Sequence, residues 1–188
     1  MTNTADTAHI IEETTAWLEK AVIGLDLCPF ARAPHAAGRI RYAVTPADSP
    51  EGVIEALLAE LRLLADADPA EIETTLLIHP QAFGDFLEYN DFLDVADAAV
   101  EELGLEGEIQ VASFHPRYQF ADTAADDVEN FSNRSPYPML HLLRESSIER
   151  AVEAHPDTGK IPDKNIRTLR RLGRDGWLRL MEGGVPQK

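Results

Sequence analysis

Apolar positions along the first two thirds of the chain alternate between helical and strand-like spacing. Apolar side chains three and four positions apart predict helices over residues 7–27, 49–66 and 85–103. β-Branched and apolar runs predict strands over residues 39–45, 74–79 and 108–114. Ser49-Pro50 is a typical helix start and Gly104 a typical helix stop, and they set two of these boundaries.

The pattern weakens after the third strand and becomes helical again towards the C-terminus. A long polar segment follows, in which only residues 124–131 indicate a short helix. Further helices are predicted from Ser135 onwards and over residues 162–172. This order predicts a single-domain α/β layer fold over residues 1–188, with a small, at least partly parallel sheet of about three strands packed by about five helices. Residues 1–6 and 183–188 are expected to be flexible ends.

Two histidines follow predicted strands, each directly before a proline. His79 ends the second strand and His115 ends the third. Parallel strands end at one edge of a sheet, where open α/β sheets bind their ligands, so we expect both rings at one rim if these strands run parallel. Imidazole is suited to proton transfer near neutral pH, which makes His115 and His79 candidate catalytic groups. The alternative is that each ring caps its strand end through backbone hydrogen bonds.

The segment Asn133-Arg134-Ser135-Pro136 precedes the predicted fourth helix. A helix start offers free N–H groups and a positive dipole end to an anion, and Arg134 and Arg117 would add bidentate contacts. The alternative is an ordinary helix capped by Ser135, with Arg134 in a surface ion pair. Beside Arg117, Asn133, Arg134 and Ser135, the predicted substrate-binding set includes His141, Arg144, Asp127 and Asn130.

Cys28 is the only cysteine and therefore the only candidate thiol nucleophile. A nucleophile paired with His115 and a small buried apolar side chain both remain open interpretations. Cys28, His79, His115 and His141 would form a chemically sensible zinc set. Their spacing has no close pair such as Cys-x-x-Cys, so no metal site is predicted and the cofactor stays unknown.

Charge disfavours several classes of partner. The chain carries 17 lysines and arginines against 33 aspartates and glutamates, a formal net charge of −16. This excess of negative charge disfavours binding to nucleic acid and to anionic membranes. Residues 160–179 are the exception, with seven basic and two acidic side chains. They predict either a surface for an acidic partner or a solvated helix face, and they do not identify a protein partner.

The chain shows neither a membrane span nor a secretion signal. No stretch approaches the roughly 18 apolar residues of a membrane helix. The first residues lack a basic start followed by an apolar run. We therefore expect a cytoplasmic protein.

Three groups of short motifs occur in a specific order. They are LCPFA at 27–31, SFHP with YQFA at 113–121, and NRSPYP with LHLLRE at 133–145. Together they resemble the bacterial family catalogued as domain of unknown function 1415, over nearly the whole chain. Ser132 stands where threonine is expected, which keeps the hydroxyl. The resemblance implies a bacterial single-domain protein and supplies no catalytic assignment.

The residues leave three functional hypotheses open. The leading one is a small enzyme acting on an anionic small molecule, with His115 as acid or base, Cys28 as nucleophile, and Arg117 and Arg134 as anion clamps. The second is a non-catalytic module that binds a ligand or a protein. The third is a zinc-binding or thiol-sensing protein.

Overall fold

Four strands form one sheet with the spatial order β1-β2-β4-β3 in a computed structural model that describes residues 4–154 and 158–182. The strands are Ile40–Val44 (β1), Thr74–Ile78 (β2), Ile109–Phe114 (β3) and Met139–Arg144 (β4). β1 and β2 pair in parallel, whereas β4 is antiparallel to both of its neighbours. The partly parallel α/β fold in a single domain is therefore confirmed, with four strands instead of three.

Helices cover both faces of the sheet. They are Thr4–Trp17 (α1), Arg32–Ala36 (α2), Pro50–Asp66 (α3), Phe86–Glu102 (α4), Glu145–Ala154 (α5) and Ile161–Glu182 (α6). A π-helix, Leu18–Ile23, continues α1, and short 3₁₀ helices cover Val128–Asn133 and Thr158–Lys160. Of the expected flexible ends, residues 4–6 begin α1, while residues 1–3 and 183–188 lie outside the described residues.

The helix predicted from Ser135 is wrong over its first part, because residues 139–144 form β4 and the helix begins only at Glu145. β4 lies between two strands, and its residues Met139, Leu140 and Leu142 are fully buried. A strand buried on both faces is a continuous apolar run, which periodicity does not distinguish from a buried helix. Pairing with two neighbours outweighs the helix preference of its leucines.

The position of β4 also decides where the two histidines lie. Because β2 and β3 are both antiparallel to β4, they point in the same direction. His79 and His115 therefore follow their strands at the same edge of the sheet, as expected. One strand separates them, so their backbones are about 10 Å apart at the usual strand spacing.

Alternating residues of the strands pack into two cores. Leu77, on β2, belongs to the core formed with α3 and α4. Leu76 and Ile78, its neighbours along the strand, belong to the core formed with α1, the π-helix and α6. We call these faces of the sheet the α3–α4 side and the α1 side. No helix within the described residues is long and apolar enough to cross a bilayer.

The predicted helix ends agree with the structure at the positions where a capping residue is present. The Ser49 hydroxyl accepts a hydrogen bond from the Gly52 N–H, and Asp85 accepts one from the Leu87 N–H. Gly104 has a φ of 68°, as a helix stop requires. The last helix is longer than predicted, and a kink at Gly173, with a φ of 66°, divides it.

Candidate functional site

The long loop after β3 is held together by its own polar side chains. The Asn130 carboxamide oxygen accepts from the Phe120 N–H at 2.9 Å and from the Thr123 hydroxyl at 2.8 Å, and its nitrogen donates to the Ala124 carbonyl. Asp127 accepts from the Ala124 N–H at 2.8 Å. Both of these predicted binding residues are therefore engaged in stabilising the loop.

Arg134 and Ser135 are also bonded within this region. Arg134 donates through Nε to the Tyr118 carbonyl at 3.2 Å and through a terminal nitrogen to the Ala125 carbonyl. The Ser135 hydroxyl donates to the Tyr137 carbonyl at 2.6 Å. No helix begins here, so the prediction of Ser135 as an N-cap is wrong and the predicted anion site lacks the helix start on which it was based.

His115 has a hydrogen-bond partner at each ring nitrogen. Nε2 lies 2.9 Å from the Phe83 carbonyl, which only accepts, so Nε2 carries the proton. Nδ1 then accepts from the Arg117 N–H at 3.0 Å. Burial lowers the pKa of this ring, which favours the neutral form. The Asn133 side-chain nitrogen donates to the Ser113 carbonyl, and the backbone carbonyl of Asn133 accepts from the His115 N–H.

His79 differs from His115, because neither of its ring nitrogens has a hydrogen-bond partner within the described residues. The ring is fully buried, and its burial lowers its pKa from the ordinary 6.5 to about 4. Nearby backbone groups, including Ala82, oppose part of this shift without reaching hydrogen-bond geometry. The Tyr89 ring centre lies 5.8 Å from His79 and 5.2 Å from His115.

The two other predicted arginines bind backbone carbonyls. Arg117 donates to the Gly84 carbonyl and lies 3.8 Å from Asp85. The guanidinium of Arg144 donates to three carbonyls in and after the last turn of α3, those of Leu64, Ala67 and Ile72. Arg144 therefore caps the end of α3, where carbonyls lack helical partners.

The predicted residues lie in two separate places. His79, His115 and the loop residues lie at the edge where β2 and β3 end, with both rings packed on Tyr89 of α4. Cys28 packs in the core of the α1 side, and His141 points to that side from β4. Within the described chain, no three His, Cys, Asp or Glu side chains are grouped to hold a metal ion.

A cavity of about 500 Å³ lies on the α1 side of the sheet. Strand residues form its floor, the end of α1 and the π-helix form one wall, and residues 28–34 and α5 cover it. The floor includes Ile40, Leu76, Ala112, Phe114, His141 and Leu143, the wall includes Trp17, Leu18 and Val22, and the cover includes Cys28, Ala31, Ile148 and Ala151.

Small side chains on facing surfaces account for this space. Ala112 on the floor and Ala31 and Ala151 in the cover are too short to fill the gap between the layers. No side chain of α5 is buried, although its apolar side borders the cavity. The wall includes two residues of the π-helix. π-Helices are rare in proteins, and those that occur often lie at functional sites.

His141 is a polar residue of the floor, together with Thr74, Gln110 and Arg144. The Thr74 hydroxyl donates to the Leu142 carbonyl at 2.6 Å, so its oxygen accepts from His141 Nε2 at 2.7 Å. Burial lowers the pKa of His141 to about 4, which keeps the ring neutral. Nδ1 is then an acceptor, and it has no hydrogen bond within the described residues.

Cys28 adds a second uncharged group to the cavity lining. Burial raises the pKa of its thiol, although the N–H groups of Phe30 and Ala31 bond to the sulfur and oppose the shift. The thiol is therefore protonated near neutral pH. Glu73, which also borders the cavity, lies 3.0 Å from Arg39 in an ion pair. Arg144 and Arg150 also border the cavity, and both donate to groups of the protein itself, Arg144 to the Ala67 carbonyl and Arg150 to the Ser147 hydroxyl.

Residues 9–179 match the sequence model of a family described as "Protein of unknown function (DUF1415)". The chain belongs to this family. No curated protein and no solved structure matches it. The resemblance to DUF1415 inferred from the short motifs is therefore confirmed.

Parts of three DUF1415 motifs border the cavity, whereas NRSPYP and YQFA lie at the sheet edge and in its loop. Residues 28–31 of LCPFA form part of the cavity's cover, and Phe114 of SFHP and His141 of LHLLRE form part of its floor. The sequence did not indicate Thr74, Ala112 or the α5 residues as site residues. Strand alternation places Thr74 on the cavity side, but its bond to His141 follows only from the pairing of β2 with β4.

Proposed function

We propose that this DUF1415 protein binds a small, uncharged, largely apolar molecule in the cavity on the α1 side of the sheet. The observation that carries this proposal is a cavity of about 500 Å³, lined mainly by apolar side chains, with a neutral acceptor on its floor. Pockets for small molecules usually measure about 300–1,000 Å³ and combine apolar walls with a few polar groups.

The neutral ring of His141 offers the cavity a hydrogen-bond acceptor, which favours a ligand that carries a donor. His141 Nδ1 presents a lone pair, and its ring stays neutral because protonation inside the protein is unfavourable. A hydroxyl or amide N–H complements that lone pair, whereas a carboxylate is repelled by it and loses its hydration. The ligand class is therefore a neutral molecule with an apolar body and one donor.

The cover of the cavity supports the same conclusion. Ile148 and Ala151 of α5 border the space, yet neither is buried. An apolar ligand between α5 and the sheet would bury these side chains together with Ala112 and Phe114. Each square ångström of apolar surface removed from water contributes about 25 cal/mol, and this burial supplies most of the affinity.

Three small aromatic probes test the proposal by titration. Benzyl alcohol carries a donor, toluene lacks it, and benzoate replaces it with a charge. We expect benzyl alcohol to bind more tightly than toluene by about fivefold, the value of one hydrogen bond of about 1 kcal/mol, and benzoate not to enter the cavity.

A variant that fills the cavity provides the control for location. Ala151→Phe places a ring into the space from α5 and is expected to abolish binding of benzyl alcohol. Ala98→Phe adds the same ring to an exposed position of α4 and is expected to leave binding unchanged. Equal binding by the Ala151→Phe variant and the wild-type protein would contradict the proposal.

The enzyme hypothesis with His115 as acid or base, and with Arg117 and Arg134 as anion clamps, stays a prediction. In the arrangement described above, proton transfer by His115 requires release of its bond to Phe83 or to the Arg117 N–H. Neutral-ligand binding needs no such rearrangement. A turnover assay on a converted substrate, with His115→Ala as the comparison, tests the enzyme hypothesis.

A further inference from the structure

A second cleft, of about 660 Å³, lies between α1, α6 and the end of the 3₁₀ helix Val128–Asn133. We call it the α1–α6 cleft. Both tryptophans of the chain, Trp17 and Trp177, line it. Trp17 also borders the cavity of the proposed function, whereas Trp177 borders only the cleft. The two spaces are therefore separate sites with one shared wall residue.

Arg134 presents part of its guanidinium to this cleft. The group lies 4.8 Å from the ring centre of Phe131, which stacks on Trp177 at 5.2 Å. Nε and one terminal nitrogen donate to loop carbonyls. The other terminal nitrogen has no hydrogen bond to any described residue. The loop thus holds the Arg134 side chain in place and leaves donor capacity unused.

Arg174, at the start of the second part of α6, is the other arginine of the cleft. Its side chain is exposed and makes no hydrogen bond or ion pair within the described residues. In the preceding part of α6, Arg170 pairs with Glu129 and Lys164 with Asp26. Burial lowers the pKa of Arg134, and the charge of Arg174 lowers it further by a smaller amount. The two guanidinium groups therefore act on each other as like charges.

The remaining charged groups of the cleft belong to its α1 wall. Glu12, Glu13 and Lys20 line that wall with His9. Glu13 accepts a hydrogen bond from the Tyr137 hydroxyl, and Lys20 donates to the Met181 carbonyl. Neither carboxylate forms an ion pair with Arg134 or Arg174 in the described chain. In a protein with nearly twice as many acidic as basic residues, these two arginines share a cleft and have no carboxylate partner among the described residues.

We infer that the α1–α6 cleft binds the oxyanion group of a small molecule, a phosphate or a carboxylate, between Arg134 and Arg174. An oxyanion accepts two hydrogen bonds from one guanidinium and neutralises the repulsion between two. The carbonyl bonds of Arg134 hold its free donors in position, so little conformational entropy is lost on binding. This site is independent of the neutral-ligand cavity.

Titration with inorganic phosphate and with acetate, at constant ionic strength, tests the inference. The indole N–H signal of Trp177 in ¹H–¹⁵N spectra reports on the cleft alone. We expect a saturable shift of that signal with at least one anion. The anion that produces it identifies the ligand group as phosphate or carboxylate. No saturable shift with either anion would overturn the inference.

Two variants that each remove one positive charge distinguish a specific anion site from general electrostatic attraction of anions to α6. Arg174→Gln is expected to weaken anion binding by about tenfold or more, because a hydrogen bond to a charged group is lost. Arg171→Gln removes the same charge from an exposed position of α6 outside the cleft and is expected to change affinity by less than about twofold. Equal losses in the two variants would also overturn the inference. Neither side chain has a bonding partner among the described residues, so both variants are expected to fold.

Discussion

Replacing His79 by leucine is expected to reduce the acid sensitivity of the fold. His79 is fully buried and its nitrogens are unpaired within the described residues, so the native protein disfavours its protonation. The unfolded chain takes up that proton near the ordinary pKa of 6.5, whereas the folded chain does so only near pH 4. The unfolded state therefore binds more protons between these values, and stability falls as the pH drops from about 6.5 to 4.

The magnitude follows from the two pKa values. A difference from 6.5 to about 4 corresponds to a maximal loss of about 3 kcal/mol. Between pH 7.5 and pH 5.5 the loss from His79 alone is about 1 kcal/mol. Leucine has a similar volume and no proton to bind, so His79→Leu removes this part of the pH dependence. Other titrating groups, His141 and the carboxylates among them, contribute to both proteins and largely cancel in the difference.

Urea unfolding followed by circular dichroism at pH 7.5 and 5.5 measures the effect. The free energy of unfolding of His79→Leu relative to that of the wild-type protein is expected to rise by about 1 kcal/mol at the lower pH. His9→Gln is the control, because His9 is exposed on α1 with two thirds of its side chain accessible. A rise of the same size in this control would show that the effect does not come from burial of the His79 ring.

One result would refute the reasoning on His79. If wild type and His79→Leu lose the same free energy between the two pH values, the ring is not held neutral by burial. His115 is the nearby group whose charge acts on His79. Repeating the comparison in a His115→Gln background would then show whether the two rings titrate together.

Arg144→Met removes the hydrogen bonds that cap α3 and is expected to lower the free energy of unfolding by about 1.5–3 kcal/mol in urea titrations, with partial recovery in Arg144→Lys. An unchanged midpoint would contradict that role. Thr74→Val leaves the N–H of His141 without its acceptor and is expected to cost about 1–3 kcal/mol, whereas Thr74→Ser keeps the hydroxyl and most of the stability. Gly173→Ala forces a side chain onto a backbone with a φ of 66° and is expected to lower the free energy of unfolding by about 1–3 kcal/mol. The control Gly159→Ala is expected to lower it by less than about 0.5 kcal/mol. Similar losses in the two variants would argue against backbone strain at Gly173.

The sequence predicted correctly those helices that have a polar exposed side and an apolar buried side. The helices over residues 49–66 and 85–103 have one apolar side and recognisable caps, so their type and ends follow from local chemistry. β4 has no exposed face, so polar and apolar residues do not alternate regularly along it. Its short apolar sequence therefore fits a buried helix as well as a buried strand. That single error also placed Ser135 at a helix start that does not exist.

The candidate site was less accessible to sequence analysis, for a different physical reason. A polar side chain looks the same in the sequence whether it serves a ligand or the protein's own backbone. Asn130, Arg134 and Arg144 each bind backbone carbonyls, and only the fold brings those carbonyls within reach. The bond between Thr74 and His141 likewise needs the register of β2 against β4. The sheet edge shared by His79 and His115 was predictable because strand direction alone determines it.

The indole signals of the two tryptophans test neutral-ligand binding in the cavity most directly. Trp17 borders that cavity, and Trp177 borders only the α1–α6 cleft. In ¹H–¹⁵N spectra recorded during titration with benzyl alcohol, we expect a saturable shift of the Trp17 indole signal while the Trp177 signal stays in place. A Trp17 signal that does not shift, or equal shifts of both signals, would contradict the proposal.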